Sequence, residues 1–385
     1  MKRALIMMFC TLIIMLFLPQ TGFAEETVDL APHAKSALLM DVDTGTIIYS
    51  KNPDVKLPPA SITKIMTMLL VMEAIEKGSI SLNDKVRASE YAASMGGSQI
   101  FLEPGEEMSV QDLLKGVAVA SGNDAAVALA EYIAGTEEEF VKRMNQKAKE
   151  LGMNNTHFQN SNGLPAPDHF TTARDIAIMS RELLRYDKIT KYTSIYQDYL
   201  RKESKNPFWL VNTNRLVRFY PGMDGLKTGY TDEAKFCLSA TAKRGNLRLV
   251  AVVLGEPNAK LRNAETVKLL DYAFSQYTLH VLYPKDAEVA KVRIDKGSPN
   301  QVSAVTSFQV GILTKRGVKA EDYQKQISLT PQLKAPLQKG EVIGKLKVTR
   351  EGTVVGEVDL VLKEDSKRIH FGEMYMRVFH TLLSF

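Results

Sequence analysis

Pro58-Pro59-Ala60-Ser61-Ile62-Thr63-Lys64-Ile65-Met66-Thr67-Met68-Leu69-Leu70-Val71-Met72-Glu73-Ala74-Ile75-Glu76-Lys77-Gly78 decides how the rest of the chain is read. Prolines open the stretch, a glycine closes it, and from Ser61 to Lys77 apolar residues fall on most sides of a helical wheel. That pattern predicts a buried helix, and an α-helix on the inside of a mixed fold. Ser61 and Lys64 are three apart, so their Oγ and Nζ share a face and can meet. A lysine in apolar surroundings loses its preference for charge and can take a serine proton. The helix N-terminus offers N–H groups and a positive dipole where an oxyanion would form. On their own, the same four residues read equally well as a helix-opening serine and a snorkelling lysine.

Reading onward, Ser109 with Asp112 makes a capping signal for a helix through Ala120. Ser121-Gly122-Asn123-Asp124 interrupts it, helix resumes over Ala125–Ala134, and Thr136–Glu150 is a further amphipathic helix ended by Gly152. Ser-x-Asn is a weak pattern, since Ser81-Leu82-Asn83, Ser204-Lys205-Asn206 and Ser298-Pro299-Asn300 match as well. Ser121 and Asn123 differ in sitting at a break between two apolar helices, where a hydroxyl and an amide need partners and can serve a site. A simple capping turn is the other reading. Lys227-Thr228-Gly229 occurs once, leading into a strand. A lysine and a hydroxyl there make an anion site, and Gly229 lets a substrate backbone come close. Taken alone, the triplet is an ordinary turn with an exposed lysine.

Strand patterns lie at both ends of this region. Ser36–Tyr49 reads as a hairpin turning at Asp43-Thr44-Gly45, and Lys235–Ala242 with Leu247–Leu254 as another around Arg244-Gly245-Asn246. Glu265–Tyr277 reads as a closing helix. The expectation is an α+β domain over residues 25–280, with an antiparallel sheet gathered from distant segments and covered by helices. From 281 to 364 the chain offers short alternating strands, Ala290–Ile294, Ser307–Thr314, Val342–Val348 and Val354–Leu362, which predict a small all-β sandwich. Helical spacing returns over Lys367–Phe385, where Phe371, Met374, Tyr375, Val378, Phe379, Leu382 and Phe385 form one apolar stripe, giving an amphipathic helix over 365–385. The stripe either packs on the β domain or lies in a membrane interface with Lys367, Arg368 and Arg377 near headgroups.

Residues 1–24 carry Lys2 and Arg3, an apolar run from Ala4 to Leu18 and a small-residue exit at Gly22-Phe23-Ala24, the marks of a secretory signal peptide. The chain is therefore expected outside the cytoplasm, and it contains no phosphate-cradling G-x-x-x-x-G-K-[ST] loop. Of its 385 residues 45% are hydrophobic and 24% charged, which excludes a disordered or collagen-like chain. A net charge of +5, scattered along the sequence, speaks against a nucleic-acid partner. Cys10 falls in the segment read as removed, leaving Cys237 with no disulfide partner. The six histidines include no H-E-x-x-H pair. His157 and His169 are a weak zinc signal, so neither metal nor organic cofactor is expected.

In this order, Ser61-x-x-Lys64, Ser121-x-Asn123 and Lys227-Thr228-Gly229 resemble the active-site set of the penicillin-recognising serine enzymes. Their flanks, Pro59-Ala60 before Ser61, Asp124 after Asn123 and Asp224-Gly225-Leu226 before Lys227, sharpen the likeness. The chain looks most like the low-molecular-weight penicillin-binding proteins that are D-alanyl-D-alanine carboxypeptidases. The resemblance implies a β-lactamase/transpeptidase-like catalytic domain, with peptidoglycan stem peptides ending in D-Ala-D-Ala as substrates and β-lactams as acylating agents. It implies an address at the outer face of the bacterial cytoplasmic membrane or in the cell wall. By position, Ser61 would be the nucleophile, Lys64 the general base, Ser121 a proton relay and Asn123 the holder of the substrate amide. Lys227 and Thr228 would bind near the terminal carboxylate, the N–H groups of Ser61 and Tyr230 would form the oxyanion hole, and Arg262 would help hold the carboxylate, with Arg248 as second choice. Tyr230 departs from the histidine found there in some relatives. Against a serine β-lactamase stand the chain's length, its β-rich extension and its tail, although Glu137 to Glu139 remain candidate deacylating bases. A transpeptidase lacks its usual partner domains here, and a non-catalytic peptidoglycan binder would not need Ser61, Lys64, Ser121 and Lys227 all intact.

Overall fold

Asp41 accepts hydrogen bonds from the Thr44 backbone N–H and hydroxyl, and Gly45 takes a φ of +74°. Those contacts turn the chain back on itself between the strands Ser36–Asp41 and Ile47–Lys51. The other edge of Ser36–Asp41 pairs antiparallel with Leu247–Glu256, so all six of its residues are buried. The sheet continues through Lys235–Arg244 to Met223–Thr231, giving five antiparallel strands with Ile47–Lys51 and Met223–Thr231 at the edges. The computed structural model describes residues 29–370. The expected signal peptide and the apolar stripe from Phe371 to Phe385 lie outside the described residues.

Successive strand residues face opposite sides, so the sheet supplies two cores. Leu38, Val250, Val252 and Leu254 pack against Ile62, Ile65, Met66 and Leu69 of the serine–lysine segment. Leu39, Leu249, Ala251 and Val253 pack against Leu269, Leu270 and Phe274 of the helix Ala259–Gln276. That last helix starts six residues before the expected Glu265, because the Asn258 side chain caps it by accepting from the Leu261 N–H at 2.9 Å. Arg262 therefore sits on its first turn and not in a loop. The expected helix over Ser61–Lys77 is a tight 3₁₀ turn over Ala60–Thr63 followed by an α-helix over Lys64–Glu76, ending at Gly78 with φ +69°. Helix Val110–Lys115 widens into a π-helical turn over Gly116–Ala120 before the break.

The C-terminal region is all β. Its main sheet orders Tyr323–Leu329, Val342–Arg350, Thr353–Leu362, Gln301–Thr306, Glu288–Asp295 and Leu333–Lys334. Strand Val310–Lys315 pairs with Tyr277–Tyr283, which spans residue 280. Lys367 and Arg368, expected to open a helix, instead form a short strand with Gly297 and Ser298. A backbone ladder claims them before any helix can begin.

The junction between the two parts has two unlike sides. On one, Leu279 and Leu313 join the core beneath helix Ala259–Gln276, and Phe308 packs against both neighbouring cores. On the other, Lys285 meets Asp187 at 2.6 Å, and around a cavity of about 280 Å³ Arg185 meets Asp359 at 3.8 Å and Gln309 donates to Asp43 at 3.2 Å.

Candidate active site

The 3₁₀ turn points the Ser61 hydroxyl back along the helix that follows. Lys64 Nζ lies 3.1 Å from Ser61 Oγ, 2.6 Å from Asn123 Oδ1 and 2.5 Å from the Asn162 carbonyl oxygen. Lys64 is wholly buried. Burial first, and the Lys227 charge second, hold its ammonium well below the usual lysine value, with Asp124 acting in the opposite sense. In its neutral form, Lys64 has two hydrogens for the Asn123 and Asn162 oxygens and a lone pair left for the Ser61 hydroxyl. Gly163, at φ +87°, makes this possible, because a Cβ there would lie 1.9 Å from the Ala60 carbonyl oxygen.

The π-helical turn ends in Ser121, buried and left-handed at φ +64°. Two residues on, Asn123 Nδ2 donates to the Gly96 carbonyl at 2.7 Å and its backbone N–H to Ser98 at 2.7 Å. These contacts fix the amide so that Oδ1 faces Lys64. Asp124 fastens the same loop: its buried carboxylate accepts from the N–H groups of Ile100, Leu102 and Ala125 at 2.8 to 3.0 Å.

On the edge strand, Lys227 is buried and donates to the Thr228 carbonyl at 3.0 Å. Burial and the nearby Arg262 charge push its ammonium down to about 7. Thr228 Oγ1 donates to Thr213 Oγ1 at 2.7 Å. Arg262 is buried and bonds the neighbouring Asn263 Oδ1 through Nε and Nη2. Arg248, the second choice, is committed elsewhere, since both its Nη atoms hold the Asp224 carboxylate at 2.8 Å. The polar contacts of Lys64, Lys227 and Arg262 go to hydroxyl, amide and carbonyl oxygens, and to no carboxylate among the described residues. Gly229 is needed for a different approach from the expected one: a Cβ there would press on the Pro59 carbonyl, Ala60 and Ile62 at 3.1 to 3.2 Å, so the nucleophile turn itself fills the space. The Tyr230 side chain is exposed and donates to Asp232 at 2.9 Å, away from Ser61 and Lys64, and its backbone is part of the edge strand Met223–Thr231.

Other candidates find structural partners. Glu137 accepts from the Ser161 N–H and hydroxyl and from Tyr91, Glu139 pairs with Lys142, and neither touches Ser61 or Lys64. His157 bonds the Asp168 carbonyl and His169 the Thr63 hydroxyl, and the described residues bring together no group of three metal-binding side chains. Sequence reading missed Asn162, Gly163 and Thr213. The Asn162-Gly163 dipeptide is a turn signal that would have marked that loop, but a carbonyl acceptor leaves no trace in sequence. A groove of about 790 Å³ at the far end of helix Lys64–Glu76, lined by Glu73, Lys77 and Lys147 among others, shares no residue with the constellation. A cavity of about 530 Å³ lined by Pro59, Ala60, Gly163 and Thr231 adjoins it.

The model of the D-alanyl-D-alanine carboxypeptidase family matches residues 23–258, and that of the penicillin-binding protein 5 C-terminal domain matches 277–368. The D-alanyl-D-alanine carboxypeptidase DacF of Bacillus subtilis is 53% identical over 375 residues, covering 96% of each chain. Penicillin-binding protein 5 of Haemophilus influenzae superposes with a TM-score of 0.67 at 34% identity, over 87% of this chain and 98% of that one. Penicillin-binding protein D2 of Listeria monocytogenes, solved with ampicillin bound, gives a TM-score of 0.55 at 32% identity, over 63% of this chain and 98% of its own.

Proposed function

The chain belongs to the D-alanyl-D-alanine carboxypeptidase family, and on that footing we propose a residue-by-residue course for the reaction. The terminal carboxylate of a stem peptide enters beside Thr228 and the buried cations Lys227 and Arg262, neither of which bonds a carboxylate among the described residues. Neutral Lys64 takes the Ser61 proton as Oγ attacks the penultimate D-alanine carbonyl, and the N–H groups of Ser61 and Tyr230 hold the oxyanion. Ser121 passes the proton to the departing D-alanine nitrogen, while Asn123 keeps Lys64 aimed and binds the substrate amide. Water, activated by Lys64, then releases a peptide one residue shorter. A stem that has lost its terminal D-alanine no longer serves as a cross-linking donor, so the enzyme limits cross-linking and shapes the wall. Side chains, two backbone N–H groups and a water supply every group these steps require, and no cofactor is invoked.

The observation that carries this reading is a wholly buried lysine, its charge disfavoured by that burial, 3.1 Å from a serine hydroxyl. The test is intact mass against time with excess benzylpenicillin. A lasting adduct on the wild type, absent from Ser61→Ala, supports it. Rapid penicillin turnover would favour a β-lactamase, and no adduct at all a silent binder.

Export through residues 1–24 and attachment through the apolar stripe from Phe371 to Phe385 complete the proposal, with the enzyme on the outer face of the cytoplasmic membrane. No helix among the described residues is long and apolar enough to cross a membrane. A protein truncated after residue 370 should stay in the soluble fraction, and pelleting with membranes would count against the tail as anchor.

A further inference from the structure

Asn162 and Asn123 hold Lys64 from two different loops, and one buried carboxylate reaches both loops. Helix Lys64–Glu76 carries Thr67 on the same face as Lys64, one turn further on. The two side chains dock on successive carbonyls, Lys64 Nζ on that of Asn162 and Thr67 Oγ1 on that of Ser161, each at 2.5 Å. Ser161 is wholly buried, and its remaining polar groups go to Glu137: the N–H donates to Oε1 at 2.9 Å and the hydroxyl to the same oxygen at 2.6 Å.

The other oxygen of that carboxylate serves the second loop. Glu137 Oε2 accepts from the Tyr91 hydroxyl at 2.9 Å. Tyr91 lies on the short helix Glu90–Ala93, just ahead of Gly96 and Ser98, whose carbonyls take the Asn123 side-chain and backbone N–H groups at 2.7 Å. The loops also touch directly, where Asn162 Nδ2 donates to Met95 Sδ at 3.7 Å. Glu137 itself is 7% exposed and opens the helix Glu137–Glu150, capped by Thr136, whose hydroxyl accepts from the Glu139 N–H at 3.2 Å. A first-turn carboxylate is favoured by the helix dipole, and its bonds to neutral donors are charge-assisted.

We infer that Glu137 is a positioning residue for the general base, an inference that stands on the carboxypeptidase reading: its carboxylate braces the two loops whose Asn162 carbonyl and Asn123 amide keep Lys64 Nζ 3.1 Å from Ser61 Oγ. Glu137 touches neither Lys64 nor Ser61. It acts through Ser161 on one side and Tyr91 on the other. Without it, the buried N–H and hydroxyl of Ser161 lack an acceptor, water enters to serve them, and Lys64 loses its aim and its shelter together.

The test follows benzylpenicillin acylation of the full-length enzyme across pH, wild type beside Glu137→Ala and Glu137→Gln. The alanine variant should acylate roughly tenfold or more slowly, with KM for N-acetyl-Ala-D-Ala-D-Ala little changed. Its acid limb should move to higher pH, because water reaching Lys64 restores the preference for charge. Lys227 on the edge strand and Asp124 beyond Ser121 are the charged groups facing Lys64, and neither is altered. Glu137→Gln keeps an oxygen for Ser161 and an amide for the Tyr91 hydroxyl, and should recover most of the rate. A Glu137→Ala protein that melts lower yet acylates at the wild-type rate, with its acid limb in place, overturns the inference, since the carboxylate then only fastens the fold. Should that protein not fold, Tyr91→Phe and Ser161→Ala each remove one hydroxyl from the brace. Slower acylation in either supports the inference, and wild-type rates in both overturn it. A wild type that takes no adduct overturns the carboxypeptidase reading, and the inference with it.

Discussion

Lys64 and Lys227 both sit below the ordinary lysine value, yet the proposed chemistry asks opposite things of them. Lys64 must be neutral to take a proton, whereas Lys227 must be charged to hold a carboxylate. The kcat/KM profile should therefore rise with pH as Lys64 loses its proton and fall again above about 7 as Lys227 does. Steady-state rates from pH 5 to 10 check this, and Lys227→Arg, always charged, should push the alkaline fall upward. A fall that stays put in the arginine variant belongs to another group. The stability sign follows separately: Lys227 has a folded value of about 7 against an ordinary 10.5, so the unfolded chain binds more protons between them and this group's penalty is relieved as pH rises through that window. Asp124 yields a second prediction. Asp124→Asn turns an amide donor toward N–H groups that need an acceptor, costing about 2 kcal/mol in chemical unfolding and loosening the loop that aims Asn123.

Among the elements, the legible parts were those with a period or a punctuation mark. The apolar wheel after Ser61, the break at Ser121 and the hairpins flanking Gly45 and Gly245 all appeared where their residues promised. What stayed hidden was decided by packing. The nucleophile turn is 3₁₀, with Ala60 at φ +47°, because Gly163 and Gly229 crowd it from two sides, a constraint no local pattern records. Tyr323–Leu329 escaped notice because it is exposed along most of its length and its polar residues follow no burial period. Gly163→Ala tests the crowding directly. The new methyl would strike the Ala60 carbonyl, so stability should drop by about 3 kcal/mol or more. Benzylpenicillin acylation should slow even at temperatures where the variant stays folded, since Ser61 moves with Ala60. Unchanged acylation would mean that the turn has room to spare.

At the scale of the whole molecule, the proposed reacting groups all come from the part before residue 277, and the Listeria relative is covered almost completely by 63% of this chain. A chain ending near Tyr277 should thus release D-alanine from soluble peptides at a rate close to the full-length enzyme's. It should melt lower, having lost Leu279 and Phe308 from its cores. A catalytically dead truncation would show that the β region shapes the site. The polar side of the junction leads further. Exposed ion pairs contribute about 0–1 kcal/mol each and fade with salt, whereas the apolar side does not. Small-angle scattering should show the radius of gyration growing as salt is raised, with the two parts swinging about Leu279 and Leu313 as Lys285 and Arg185 let go. A cell wall is a charged gel whose counter-ions thin or crowd with the medium outside. The enzyme's posture, and so the depth of mesh its active site can graze, would follow the weather of the wall.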